Sequence, residues 1–145
     1  MIIYNIAIWG LGGHAINRII PVISSMNNLN LVGVCSRNNN IVNECAENWN
    51  CNGWTNHEEM LSSPDIDIIY IAMPIGVHYT FSEQALNAGK HVWCEKPLTC
   101  NYEQTKSLIF LAEKNKKVIT ESFMYLYHPQ FERVKKFKDE SKQLH

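Results

Sequence analysis

Ile6-Ala7-Ile8-Trp9-Gly10-Leu11-Gly12-Gly13-His14-Ala15 is an apolar strand that runs straight into the pattern G-x-G-x-x-A. Each position has a physical task. Gly10 permits a sharp turn from strand to helix. Gly12 carries no Cβ, so backbone can approach a pyrophosphate. Ala15 is small enough for the new helix to lie close to the sheet. The helix N-terminus then offers unpaired N–H groups and a partial positive charge to phosphates. The pattern sits in the first strand–helix turn of the chain, the context a dinucleotide fingerprint requires. A tight strand-to-helix turn that binds nothing satisfies the same spacing, and that reading stays open.

Working outward, strand and helix signals alternate. Residues 2–9 read as a near-continuous apolar strand, as suits a parallel strand buried on both faces. Residues 14–25 read as a helix despite Pro21, which shortens or kinks it. Strands are expected at 29–35, 51–54, 67–73, 91–94 and 118–120. Helices are expected at 41–49, 56–62, 77–88, 102–115 and 129–138. Thr55 or Asn56 caps one of them, and Gly89 closes another. Leu108, Leu111 and Ala112 mark an inner helix face. Strands alternating with helices imply α/β architecture, a doubly wound parallel-sheet Rossmann domain with ligand across the carboxyl ends of the strands.

Size and charge bound the function. At 145 residues the chain suits one domain with a proper core. A net charge of −1 gives no electrostatic case for nucleic acid or an anionic membrane. No apolar run is long enough to span a bilayer, and no signal-peptide pattern precedes the first strand. Five cysteines, an odd number without a C-x-x-C pair, argue against a disulfide framework or a metal cluster. Reduced thiols in the cytoplasm fit better. The Asn-rich stretches, such as Asn38-Asn39-Asn40, read as compositional drift. Trp9, Trp49, Trp54 and Trp93 read as packing residues, and Cys94 as a small buried strand residue.

The second strand ends Val34-Cys35-Ser36-Arg37, with no carboxylate where a ribose discriminator belongs. A carboxylate there would accept from a 2′-hydroxyl and repel a 2′-phosphate. Ser36 and Arg37 offer a hydroxyl and a guanidinium instead, which favours NADP over NAD. NAD remains open, because Arg37 stacked on adenine would serve either cofactor and a solvated Arg37 would serve neither.

Two further segments belong to the same edge: Met73-Pro74-Ile75-Gly76-Val77-His78, and His91-Val92-Trp93-Cys94-Glu95-Lys96-Pro97. With Ala85-Leu86-Asn87-Ala88-Gly89-Lys90 before the second and Glu121-Ser122-Phe123-Met124-Tyr125-Leu126-Tyr127-His128-Pro129 after it, the chain resembles the glucose–fructose oxidoreductase / inositol dehydrogenase / MocA family. The resemblance covers nearly the whole length. A-G-K-H-V-x-x-E-K-P following G-x-G-x-x-A is a highly specific combination.

The resemblance implies roles. Gly10, Gly12, Gly13, His14, Ala15, Ser36, Arg37, Pro74, His78, Glu95 and Lys96 would hold the nicotinamide dinucleotide. Lys96 would be the catalytic residue, beside the nicotinamide and the reacting oxygen. Glu95 would position Lys96 or touch the nicotinamide side. Pro97 would fix the turn, with a cis bond as one option. For His78, lining the nucleotide pocket and a partly exposed helix-start histidine are both open. For His14, phosphate contact and solvent exposure are both open. No metal site is implied.

Leu126 departs from the pattern, since family members often carry arginine there. Residues 1–125 are expected to form the nucleotide-binding domain, and 126–145 the start of a connection to a C-terminal substrate domain that is absent. Neither His128 nor His145 matches that domain's catalytic histidine. The expected function is the nucleotide-binding portion of an NAD(P)-dependent oxidoreductase acting on a small sugar-like or cyclitol substrate. The alternative is a non-catalytic NAD(P)-binding module or sensor. An apolar face left without the second domain would promote self-association into a homo-oligomer.

Overall fold

A computed structural model describes residues 2–142, and side chains through residue 137. His145 and the end of the expected connection therefore lie outside the described residues. Six strands form one parallel sheet: β1 (Tyr4–Trp9), β2 (Leu29–Cys35), β3 (Asn52–Trp54), β4 (Ile68–Ile71), β5 (His91–Cys94) and β6 (Ile119–Glu121). Their order is β3-β2-β1-β4-β5-β6. The direction of travel reverses between β1 and β4, which is the switch point of a doubly wound Rossmann sheet. The expected fold class is the one found.

Helices connect the strands: α1 (Ile20–Ser25), α2 (Asn39–Trp49), α3 (His57–Ser62), α4 (His78–Asn87), α5 (Tyr102–Lys114) and α6 (Pro129–Lys142). Strand alternation sends side chains to two cores. Ile6, Ile8, Val34 and Tyr70 meet Ile20, Ile23 and Val42 from α1 and α2. Ala7, Trp9, Ile69, Ile71, Val92 and Cys94 meet Met60, Leu86 and Leu108 from α3, α4 and α5. Burial of each Leu or Ile contributes about 1.5–3 kcal/mol. Chain direction explains the division: right-handed crossovers running toward β3 and toward β6 place their helices on opposite faces.

Three details depart from the sequence reading. The first strand begins at Tyr4, not residue 2, because Tyr4 pairs with Leu29 and nothing pairs with Ile2 or Ile3, which are exposed. Pro21 does not end the first helix, which runs on to Ser25. The turn before it, Ala15–Ile19, widens to π geometry, with the Ile20 N–H donating to the Ala15 carbonyl. Pro21 has no N–H for the Asn17 carbonyl, and the wider turn accommodates that loss. Asn38, in a stretch read as drift, caps a helix, as does Asn101, while Asn56 is the cap expected for its helix. Asn38 accepts from the N–H groups of Asn40 and Ile41, Asn56 from Glu58, and Asn101 from Gln104. Each cap is worth about 1 kcal/mol.

On the α1/α2 face no described helix covers β5 and β6. Trp93 is half-buried there and Thr120 exposed. The result is a largely apolar groove of about 900 Å3, walled by Ile19, Tyr70, Trp93, Phe123 and Met124, with His14 and Glu95 among its lining. A second hollow of about 230 Å3 shares Trp93 and Thr120 with it.

Candidate active site

The strand exits form one continuous edge. Gly10 N–H donates to Cys35 O (2.9 Å), Ala72 N–H to Trp9 O (2.9 Å), Glu95 N–H to Ile71 O (3.0 Å) and Ser122 N–H to Cys94 O (2.8 Å). These bonds extend the ladder past the strands and set the exits of β1, β2, β4, β5 and β6 side by side. Gly12, Gly13, His14, Arg37, Pro74 and Lys96 are exposed along this edge. Ser36 and Glu95 are half-buried, and Gly10 and Ala15 lie buried beneath it.

The two signature glycines differ in what they do for the protein. Gly10 has φ +108°, and a Cβ there would lie 2.6 Å from the Ala72 carbonyl oxygen and 2.7 Å from the Met73 sulfur. The chain itself requires glycine at that position. A Cβ on Gly12 would meet no protein atom within 4 Å. No feature of the fold demands a missing Cβ there, and the space in front of Gly12 is open. Gly13 is nearly as open, facing only the Asn17 amide at 3.8 Å. The backbone N–H groups at this helix start face the same opening.

Glu95 is the hub of the β5 exit. Its Oε1 accepts from the Tyr70 hydroxyl and lies 3.1 Å from His14 Nε2, while its Oε2 accepts from the Lys96 backbone N–H at 3.3 Å. The Tyr70 hydroxyl also lies 3.3 Å from Ser122 Oγ. Burial, then the bond to Glu95, pushes the Tyr70 phenol well above its usual range. Tyr70 therefore stays a neutral donor. Because the carboxylate is engaged by these groups, it makes no ion pair with the Lys96 ammonium. Among the described residues Lys96 has no ion-pair partner at all. The Lys96–Pro97 bond is cis.

His78 stands differently from either reading of the sequence. It is neither partly exposed nor available to line the nucleotide pocket. Its ring is 1% exposed beneath the edge, with Nε2 2.6 Å from Met73 O and Nδ1 2.8 Å from Pro97 O. The short helical turn Ile75–Val77 after Pro74 folds the start of α4 inward and carries the ring under both exits. His14 lies in the loop between β1 and the first helix, and its described partner is Glu95. Tyr70 and Ser122 were missed by sequence reasoning. The available signal was a lone tyrosine in the aliphatic strand Ile68-Ile69-Tyr70-Ile71.

Ser36 is held by its own backbone, its N–H donating to Trp54 O (3.2 Å) and its Oγ accepting from Asn38 N–H (3.3 Å). That places Arg37 on the rim beside the β2 exit. The tryptophans pack as expected, and Trp9 stacks on Phe81 at 4.3 Å between ring centres. Cys94 is fully buried, and burial raises its thiol to about 12. It is no nucleophile. Among the described residues no group of three His, Cys, Asp or Glu is placed to hold a metal ion. No described helix is long and apolar enough to cross a membrane.

The model of an oxidoreductase family with an NAD-binding Rossmann fold, GFO_IDH_MocA, matches residues 4–123. The chain belongs to this family. A dTDP-3,4-didehydro-2,6-dideoxy-alpha-D-glucose 3-reductase of Streptomyces violaceoruber is 30% identical over 93% of this chain and 40% of its own length. A D-xylose 1-dehydrogenase (NADP(+)) of Haloferax volcanii is 28% identical over 88% of this chain and 39% of its own. Among solved structures, KijD10, a 3-ketoreductase from Actinomadura kijaniata in complex with NADP, superposes with a TM-score of 0.90 at 28% identity. It is covered over 44% of its length, and this chain over 95%. The chain thus spans about 40% of the length of these curated relatives.

Proposed function

We propose that this chain holds NADP(H) across its carboxyl edge and is the cofactor-binding portion of an oxidoreductase acting on a sugar, with a keto-sugar nucleotide as the favoured substrate class. The observation that carries this reading is Gly12. The fold has no use for a glycine there, and a pyrophosphate over a helix start does. Gly10, Gly13, His14 and Ala15 complete that cradle. Ser36 and Arg37 meet the adenosine ribose, and the guanidinium suits a 2′-phosphate better than a 2′-hydroxyl. Pro74, Glu95 and Lys96 flank the nicotinamide end. Relatives support the cofactor and the substrate class: KijD10 was solved with NADP and TDP-benzene.

When bound, the nicotinamide supplies or accepts the hydride. The chain's own part is proton handling and orientation. Lys96 Nζ, free of any carboxylate among the described residues, donates its proton to the substrate oxygen in the reducing direction and takes it back in the other. Its positive charge stabilises the oxygen while charge develops there. Glu95 fixes the Lys96 backbone, and Tyr70 and His14 fix Glu95. Residues 126–145 are taken as the start of the connection to a substrate-binding part. The cytoplasm is the proposed location, on the strength of its unpaired thiols.

Titration of the purified chain with NADPH and with NADH, read by nicotinamide fluorescence, tests the proposal. Binding of NADPH in preference to NADH is expected; binding of neither refutes it. Where keto-sugar reduction is measured, Lys96→Ala removes turnover and leaves NADPH bound.

A further inference from the structure

We propose that His78 is a positioning residue for Lys96, acting as a buried brace between the exits of β4 and β5. The inference rests on the cofactor reading above only for the role of Lys96; the brace itself stands on geometry. Lys96 is exposed, and its ammonium has no ion-pair partner among the described residues, so its place is set by its loop. That loop is held at three points. Glu95 Oε2 takes the Lys96 N–H at a long 3.3 Å. Glu121 Oε1 takes the Leu98 N–H at 2.6 Å, from the β6 side. His78 meets Pro97 O at 2.8 Å, and through its other nitrogen meets Met73 O at 2.6 Å. Before Lys96, the Glu95 N–H to Ile71 O (3.0 Å) ties the chain to β4; after Lys96, the His78 contact ties Pro97 to the β4 exit.

Both partners of the ring are carbonyls, which only accept. A ring with one N–H donates to one of them and packs against the other, and a ring with two N–H groups donates to both. A one-percent-exposed polar ring is costly to keep unless its bonds are made. Helix α4 would begin equally well with an apolar residue, so the fold alone gives no reason for histidine here. The two loops it joins carry Pro74 and Lys96, which flank the same end of the crevice. Ser36 and Arg37 lie at the other end, across β1 in the strand order. Loss of the brace therefore acts on one end of the site only.

The test uses His78→Leu and His78→Gln with two ligands, NADPH and 2′-phospho-ADP-ribose, which lacks the nicotinamide. In His78→Leu, NADPH affinity is expected to fall at least tenfold, toward that of 2′-phospho-ADP-ribose, whose own affinity stays within twofold of wild type. Amide hydrogen exchange at Lys96 and Leu98 is expected to accelerate tenfold or more, while β1 and β4 amides keep their protection. His78→Gln, which keeps one donor to one loop, shows the same pattern at smaller size and serves if the leucine variant fails to fold. An equal loss for both ligands, or exchange that rises throughout the sheet, makes His78 a fold residue and overturns the proposal. Unchanged exchange at Lys96 and Leu98 also overturns it. Failure of the wild-type chain to bind NADPH refutes the proposed function instead, and the exchange data still judge the brace.

Discussion

Alanine at Gly10 and alanine at Gly12 are the same chemical change two residues apart, and the structure predicts opposite outcomes. At Gly10 the backbone sits at φ +108°, which a non-glycine residue occupies at about 1–3 kcal/mol. The new Cβ would also lie 2.6 Å from the Ala72 carbonyl oxygen, and easing that contact shifts β4 against β1. Overpacking of this kind costs about 1–3 kcal/mol more. A loss of about 4 kcal/mol, at about 2–4 °C per kcal/mol for a domain of this size, lowers Tm by roughly 8–16 °C. At Gly12 the Cβ meets nothing, so stability stays within about 0.5 kcal/mol of wild type. The cost appears on binding, where the methyl occupies space in front of the phosphate loop. A penalty of about 1–3 kcal/mol weakens NADPH about 5- to 150-fold. Thermal melting followed by circular dichroism, with fluorescence titration of each variant, measures both effects. A Gly12→Ala variant that binds NADPH like wild type would refute the reasoning about the open cradle. A Gly10→Ala variant that melts unchanged would refute the packing argument.

Three other outcomes follow from the same geometry. Arg37→Asp removes a charge-assisted donor on the rim and adds repulsion, so NADPH should weaken about 10- to 100-fold while NADH binds no worse; equal loss of both would show that Arg37 serves the adenine instead. Cys35 and Cys94 are buried, and burial raises their thiols to about 11 and about 12 from 9.0. The unfolded chain loses those protons first, so their contribution is fully present below pH 9 and is lost as pH rises toward the folded values. About 3 kcal/mol should disappear between pH 8 and pH 10, read as a falling denaturant midpoint, and Cys94→Ala should flatten that slope. The uncovered groove over β5 and β6 should make the chain self-associate at high concentration, and Thr120→Lys should reduce that in sedimentation velocity.

The sheet was legible because its signals are local. Apolar runs bounded by glycine, proline and capping residues marked most strands, the short Asn52-Gly53-Trp54 being the exception, and strand–helix alternation left one topology to favour. The errors at Ile2 and Pro21 share a cause: hydrophobicity and backbone propensity say nothing about whether a pairing partner exists. Ile3 is as apolar as Ile6, but no neighbouring strand extends to it. The edge residues were legible for a different reason. Gly10, Ser36, Pro74 and Glu95 each follow a strand, and in a parallel sheet every strand exit faces one side.

What stayed hidden depends on direction rather than position. Tyr70 and Trp9 are both buried aromatic residues of neighbouring strands, but their side chains leave the sheet on opposite faces. Trp9 goes to the α3/α4 core and stacks on Phe81. Tyr70 goes to the other core, where its hydroxyl reaches Glu95 at the mouth of the groove. One residue's shift in register would exchange those roles. His78 teaches the same lesson at a helix start. A histidine three residues after Ile75 reads as a surface residue until the short turn Ile75–Val77 rotates it beneath the edge. Exposed groups such as Arg37, Gly12 and Lys96 can be placed on the strand exits from sequence alone. The groups packed around the Lys96 exit, Tyr70, Glu95 and His78, are buried or half-buried, and their contacts are fixed only once the sheet decides which way each side chain points.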